Sequence, residues 1–311
     1  MTTDGPLSGT QFELRHGEYI AVIASVGASL RELRHRGRHL VLPFNADEVR
    51  PNFRGATLAP WPNRVVDGRY AFDGEEQLLA LTEPKRGHAL HGLVGWQDFE
   101  LLEQDAASVV LRAKIPAQVG YPHQVHVTVR YALADDGLTE TVTGHNAGET
   151  LAPWGTGPHP YLVAGDGRVD DWTLLLPAEQ VLTVTEDRLI PVGLADVAVE
   201  GFDYREPRAI AQTFIDHAFT AIVRDDAGIA TVELTEPDES GVRMSWNAAC
   251  PWVQVHTADL PEQPAQSRLG LAVEPMTCAP DAFNSGAGLI RLAPGERHAA
   301  SWTIAAIGPE L

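Results

Sequence analysis

The stretch QVHVTVRYALADDGLTETVT, residues 124–143, alternates with a period of two. Val125, Val127, Val129, Tyr131 and Leu133 fall on one face, while Gln124, His126, Thr128 and Arg130 fall on the other. That is the signature of a half-buried β-strand, because successive side chains leave a pleated backbone on opposite sides. The run stops at Asp135-Asp136-Gly137 and resumes from Leu138 to Thr143, which predicts a hairpin turned at Asp-Gly. Working outward, Phe219 to Val223, a turn around Asp225 to Gly228, and Ile229 to Leu234 predict a second hairpin of the same kind. Near the end of the chain Ala300, Trp302 and Ile304 alternate with Ser301 and Thr303 after Pro294-Gly295. No dozen residues hold an apolar stripe at helical spacing, so helices should be few and short. The fold class expected is all-β, a large antiparallel β-sandwich. The 28 glycines and 22 prolines are spread along the chain and mark no linker, so residues 1–311 are expected to form a single domain.

Composition removes several classes of function. A formal net charge of -19 opposes a nucleic-acid partner, whose phosphates need a basic surface, and opposes anionic membranes as well. A small anionic substrate stays possible, since a few local arginines can hold one phosphate or sulfonate. The stretch Met1–Tyr19 has no basic region followed by an apolar core, and no apolar run approaches a membrane span, so a cytoplasmic protein is expected. Two cysteines, Cys250 and Cys278, form no disulfide framework and no four-thiolate zinc site; each reads as a small buried apolar residue.

The chemistry-bearing segment is RLGLAVEPMTCAPDAFNSGAG, residues 268–288. An apolar run delivers one carboxylate, Glu274, and Pro275 and Pro280 are expected to end regular pairing behind it. Flanked by Val273 and Pro275, Glu274 reads either as a desolvated acid/base group or as a solvated turn glutamate. His159 lies in Gly155-Thr156-Gly157-Pro158-His159-Pro160, where glycines allow close approach and prolines stiffen the chain. It suits proton transfer near neutral pH and equally suits a histidine bonded inside a turn. Arg64 follows the irregular Pro60-Trp61-Pro62-Asn63 loop and could present a fixed fork, although a surface ion pair explains it as well. In Gly87-His88-Ala89-Leu90-His91-Gly92 the two histidines point to opposite faces of a strand, so one enters any given site, and His91 is the choice. His123 and His126 read as structural or solvated. At Asp216-His217 one of the two could face the same cleft. Trp61, Trp154, Trp246 and Trp252 are the aromatics considered for stacking on a sugar, against the commoner fate of core packing. Phosphate loops, nucleophile elbows and zinc-helix motifs are missing from the sequence.

Taken together these pieces resemble the aldose 1-epimerase (galactose mutarotase) family, in a bacterial aldose-epimerase-like branch. The residues that carry the resemblance are Asn63-Arg64 with Asp67-Gly68-Arg69-Tyr70, Leu90-His91-Gly92, His159-Pro160-Tyr161, Asp216-His217-Ala218-Phe219, and Leu271 to Gly288. They span most of the chain, in the family's order. The resemblance implies a galactose mutarotase-like supersandwich that interconverts the α and β anomers of a free hexose with no cofactor and no metal, as a monomer or homodimer. It implies Glu274 as the base at the C1 hydroxyl, His159 as the acid at the ring oxygen, His91 near that oxygen, and Arg64 and Asp216 on hydroxyls. His88, Leu93 and Leu162 depart from the family's usual residues around the sugar, so galactose is not the default substrate. Three other readings compete. A sugar sensor on the same fold needs no acid/base pair. A mutarotase for a phosphorylated or sulfonated hexose needs a basic cluster such as Arg64, Lys85 and Arg86. A metal-dependent isomerase would need His88, His91, His123 and His126 to converge.

Overall fold

The computed structural model describes residues 5–308; the first four residues of the N-terminal reading lie outside them. Two antiparallel sheets dominate. The larger has nine strands, with Val125–Ala134 and Gly137–Asn146 at its centre beside Arg297–Ile307. The hairpin closes where expected, at Ala134 opposite Gly137. Its apolar face is buried as the alternation requires: Val125, Val127, Val129 and Tyr131 are fully enclosed and Leu133 nearly so. The second sheet has six strands, in the spatial order Tyr161–Leu162, Leu271–Met276, Trp252–His256, Asp216–Ile222, Ala178–Val184 and Pro191–Asp196. A four-stranded sheet, beginning at Gln11–His16, completes the larger elements. One continuous apolar cluster takes Val127 and Val129 from the nine-stranded sheet and Phe219, Val253, Val255 and Val273 from the six-stranded one, so the two inner faces share a core. Among the described residues the one α-helix is the four-residue Ala282–Ser285. The chain is therefore all-β, as its periodicity predicts.

Two local expectations are overturned. Phe219 to Val223 and Ile229 to Leu234 do not form a hairpin. The strand Asp216–Ile222 pairs with Trp252–His256 and Ala178–Val184, whereas the next strand in the chain, Ala230–Thr235, lies in the nine-stranded sheet. The turn itself is real, with Asp225 Oδ1 accepting the N–H groups of Ala227 and Ile229. Ala221 takes φ +52 within the strand, but pairing continues past it, Ile222 opposite Ala178 and Val223 N–H donating to Pro177 O, and the chain leaves for the other sheet only after that. Nor does Pro275 end a strand: Leu271–Met276 pairs with Trp252–His256 through Met276. On the far side Val273 N–H donates to Pro160 O and Thr277 N–H to Thr156 O, so Pro275 turns its missing N–H toward a connecting segment and the ladder with Trp252–His256 stays intact.

The central hairpin also receives the segment that leads to His159. A Cβ on Gly144 would stand 2.5 Å from the Trp154 ring, which is fully buried against the strand. Gly144→Ala is expected to cost about 1–3 kcal/mol of unfolding free energy by overpacking, read as a lower urea midpoint; an unchanged midpoint would show that Trp154 moves aside freely.

Candidate active site

Three adjacent strands of the six-stranded sheet build the floor. Gln254 lies opposite Glu274 on one side and Ala218 on the other, and His256 lies opposite Ala272 and Asp216. The two-residue period therefore puts Glu274, Gln254, His256 and Asp216 on one face, while Val253, Val255, Val273 and Phe219 enter the core from the other. Above that face is a cavity of about 420 Å³. Its polar floor is covered by the loops that carry Asn63, Arg64, Glu83, His91 and His159.

The backbone places each wall residue. Gly92 has φ +75, and a Cβ there would strike the Ala59 carbonyl, to which Leu93 N–H donates at 2.7 Å. Held beside that contact, His91 accepts the Asn63 N–H on Nδ1 at 3.2 Å, so its proton resides on Nε2 and the ring is a donor. Asn63 Oδ1 accepts the Arg64 N–H at 2.9 Å. The Arg64 guanidinium is spread over Glu83, Nε to Oε2 at 2.8 Å and Nη2 to Oε1 at 3.1 Å, with Asp216 Oδ2 3.9 Å away. Across the cavity, a Cβ on Gly157 would lie 2.7 Å from Pro275 O. That close approach sets the His159 loop directly against the Glu274 strand, and His159 Nε2 comes to 3.5 Å from Glu274 Oε1. Phe53 flanks both histidines, 4.8 Å from the His91 ring and stacked 6.3 Å from His159; Tyr161 stacks on His159 at 5.2 Å.

Burial decides the electrostatics. Glu274 is 2% exposed, and burial reinforced by the Asp216 charge holds its carboxyl well above the usual range, against the opposing pull of Arg64. Burial, then His256, pushes His159 down to about 3. His91 is likewise pushed well below the ordinary imidazole value by burial and by His159. Burial raises Asp216, but His256 and Arg64 outweigh it and keep this carboxyl below its ordinary value. The two shifts are opposed, so any proton the Glu274–His159 pair holds in the protein alone is favoured on Glu274. Four buried polar atoms around the cavity, His159 Nδ1, Gln254 Oε1, His256 Nδ1 and Glu274 Oε2, have no hydrogen-bond partner among the described residues. Each is costly to leave so, and together they give the cavity acceptors and donors for a polar ligand or water.

Arg64, His91, His159, Asp216 and Glu274 all line this one cavity. The other candidates lie elsewhere. His88 accepts the Asp67 N–H on Nδ1 at 3.3 Å and meets Arg188 O through Nε2 at 2.9 Å. His123 packs on Phe72 and Tyr121, His126 on His145, and His217 on Phe202. The four histidines of the metal reading do not converge, and among the described residues no three His, Cys, Asp or Glu side chains are grouped to hold an ion. Lys85 is exposed outside the cavity, whereas Arg86 lines it. The four tryptophans considered for stacking are not the ones at the site: Trp61, Trp154, Trp246 and Trp252 are buried, and the one that lines the cavity is Trp96. Sequence reasoning also missed Gln254, His256 and Glu83. Cys250 and Cys278 are buried, with burial pushing each thiol up to about 12. No helix among the described residues is long and apolar enough to cross a membrane.

The sequence and the fold both have known relatives. Residues 10–305 match the aldose 1-epimerase family. The uncharacterized protein YihR of Escherichia coli is 37% identical over 94% of this chain and 91% of its own length. The galactose mutarotase of Rattus norvegicus is 29% identical over 67% of this chain and 65% of its own. In fold, the galactose 1-epimerase of Lactobacillus acidophilus superposes with a TM-score of 0.79 at 19% identity, over 95% of this chain and 94% of that one. The aldose epimerase homologue of C. elegans gives 0.83 at 19% identity, over 96% and 98%. The match across almost the whole chain leads to one conclusion: this protein belongs to the aldose 1-epimerase family.

Proposed function

We propose that the protein is a mutarotase, working as one unit over residues 1–311, that interconverts the α and β anomers of a free hexose through Glu274 and His159. The observation that carries this reading is the 3.5 Å approach of His159 Nε2 to Glu274 Oε1 in a cavity ringed by unpartnered polar atoms. The C1 hydroxyl and the ring oxygen are bonded to the same carbon, so an acid and a base this close reach both at once. Hydroxyls that donate to Glu274 favour its carboxylate, and the pair's proton passes to His159 as the sugar enters. Glu274 then takes the C1 hydroxyl proton while His159 protonates the ring oxygen. The C1–O5 bond breaks, the aldehyde end rotates about C1–C2, and the other face closes. On closure His159 takes the proton of the attacking hydroxyl and Glu274 returns one to the carbonyl oxygen, so no proton is gained or lost. His91 Nε2–H serves as a fixed donor beside His159, and Arg64, Asp216 and Gln254 hold hydroxyls.

A second reading, a hexose bearing a phosphate or sulfonate, draws support from Arg86. It lines the cavity and gives Nη1 to Glu83 at 2.9 Å, while its buried Nε has no partner among the described residues.

Anomer exchange followed by NMR on equilibrated glucose, galactose and glucose 6-phosphate tests both readings. Wild-type protein is expected to accelerate exchange, with the rank of the three sugars choosing between a neutral and an anionic substrate. Measurable binding without acceleration of any sugar would leave a sugar sensor. Glu274→Gln and His159→Asn are each expected to fold normally and to lower kcat by about 10²–10⁴-fold. His123→Asn and His217→Asn, whose rings lie outside the cavity, are expected to change turnover by less than about threefold; equal losses at all four positions would sink the assignment.

The pH profile follows from the shared proton. With His159 pushed down to about 3 and Glu274 pushed up, the one-proton form spans the interval between the two. Below the His159 value the pair carries two protons and lacks a base; above the Glu274 value it carries none and lacks an acid. kcat/KM is expected to show its acid limb near the His159 value of about 3, with no imidazole inflection near 6.5, and its basic limb above the ordinary carboxylate range. An inflection near the ordinary histidine value of 6.5 would show that His159 titrates as a free ring.

A further inference from the structure

Trp96 is the exposed tryptophan of this chain. It is 54% exposed, whereas the other six are 9% exposed or less. It lines the same cavity as Gln254, Asp216 and Glu274. A ring of this size left half in water forgoes apolar burial, and its position is not loose. The Arg50 guanidinium lies over the indole at 4.5 Å, and Phe53 tilts against it at 5.6 Å.

Arg50 is unusual in its own right. It is 4% exposed and makes no ion pair among the described residues. Its Nη1 donates to Val26 O at 3.1 Å and to Ser29 Oγ, and Nη2 donates to Gly95 O, the carbonyl just before Trp96. A buried cation tied to neutral acceptors is costly. Here it fixes both the backbone at Gly95 and one face of the Trp96 ring, a cation–π contact strengthened by desolvation. The cavity lining therefore combines polar side chains that can bond hydroxyls with one firmly held aromatic ring that cannot.

We infer that Arg50 and Trp96 form a platform for the apolar C–H face of a pyranose ring, with Trp96 touching the sugar and Arg50 acting as its positioning residue. This rests on the hexose reading above. A pyranose is amphipathic in the same sense as the cavity, its hydroxyls pointing around the rim and its axial hydrogens grouped on a face. Seating that face on Trp96 directs the hydroxyls to Arg64, Asp216 and Gln254. It leaves C1 and the ring oxygen to the Glu274–His159 pair. The platform binds ground state and transition state alike, so it acts on KM and leaves kcat nearly untouched.

Trp96 emission tests this separately from turnover, because the exposed indole dominates the red side of the spectrum. Titration with glucose, galactose or glucose 6-phosphate is expected to give a saturable blue shift with at least one of them, absent in Trp96→Phe. In the exchange assay, Trp96→Ala is expected to raise KM about three- to tenfold, the worth of one aromatic contact, with kcat within about twofold. Trp96→Phe keeps a flat ring and is expected to stay within about threefold of wild type. Arg50→Lys is expected to raise KM as well, but to add nothing in a Trp96→Ala background. Additive losses would overturn the role of Arg50. Emission that does not move while exchange saturates, or a Trp96→Ala protein with unaltered KM, would overturn the platform while leaving the mutarotase reading in place. A blue shift without any exchange would do the reverse, and silence in both assays would overturn both.

Discussion

The structure turns on the burial of one carboxylate. Glu274 lies on the strand next to the edge of the six-stranded sheet, 2% exposed, with one oxygen 3.5 Å from His159 and the other without a partner among the described residues. Burying a charge there is costly, and its raised pKa is the physical consequence: burial favours the neutral form, and donors to the carboxylate favour the charged one. The surrounding elements can be understood as what fixes this unfavourable placement. Cross-strand pairing puts Gln254 beside it, the Gly157 approach to Pro275 O brings His159 against it, and the Arg64–Glu83 fork brings a cation near without letting it pair directly.

Such a site is coupled to ordinary sheet packing. Because the floor residues alternate with Val253, Val255 and Val273, the strands that hold the polar face are locked by the core beneath. A slip of one residue would exchange the two faces, sending Glu274 into the apolar cluster and Val273 into the cavity. Register therefore sets both stability and the position of the acid/base pair. The same economy operates at His159, whose loop begins at Trp154, a ring lodged in the space Gly144 leaves on the central hairpin.

This coupling explains which parts of the fold and site the sequence discloses. The hairpin of residues 124–143 is legible because one face meets water, so polar and apolar residues separate. Glu274, His159, His91, Arg64 and Asp216 stand out because glycine, proline or an abrupt change of polarity frames each one. Gln254 has no such frame: in Trp252–His256 it reads as the solvent face of a half-buried strand, and only the loops folded over that face make it an interior residue. Glu83 lies in a polar turn, Thr82-Glu83-Pro84-Lys85, and nothing local announces that its partner is Arg64. Trp96 escapes for the opposite reason. Tryptophans are usually core residues, so choosing the exposed one requires knowing the exposure. Pro275 and the segment after Phe219 mislead because the usual rule, that proline or a turn ends pairing, depends on which side of a strand has a neighbour.

The opposed electrostatics of Glu274 and His159 carry the last step. Were each group to keep its ordinary pKa, the resting pair at neutral pH would be a carboxylate beside a largely neutral imidazole, with no proton to give. Burial raises one and lowers the other, which widens the pH interval in which the pair carries a single proton without a third group to supply it. Mutarotation is balanced in its demand: every proton taken from one oxygen is returned to its neighbour. A dry pair with one proton is the smallest device that meets that demand, and the Asp216 charge helps by keeping that proton on the pair, while Arg64 limits how firmly Glu274 holds it. In the proposed mechanism, the residues assigned to the sugar hydroxyls, Asp216 and Arg64, also tune the acid and base.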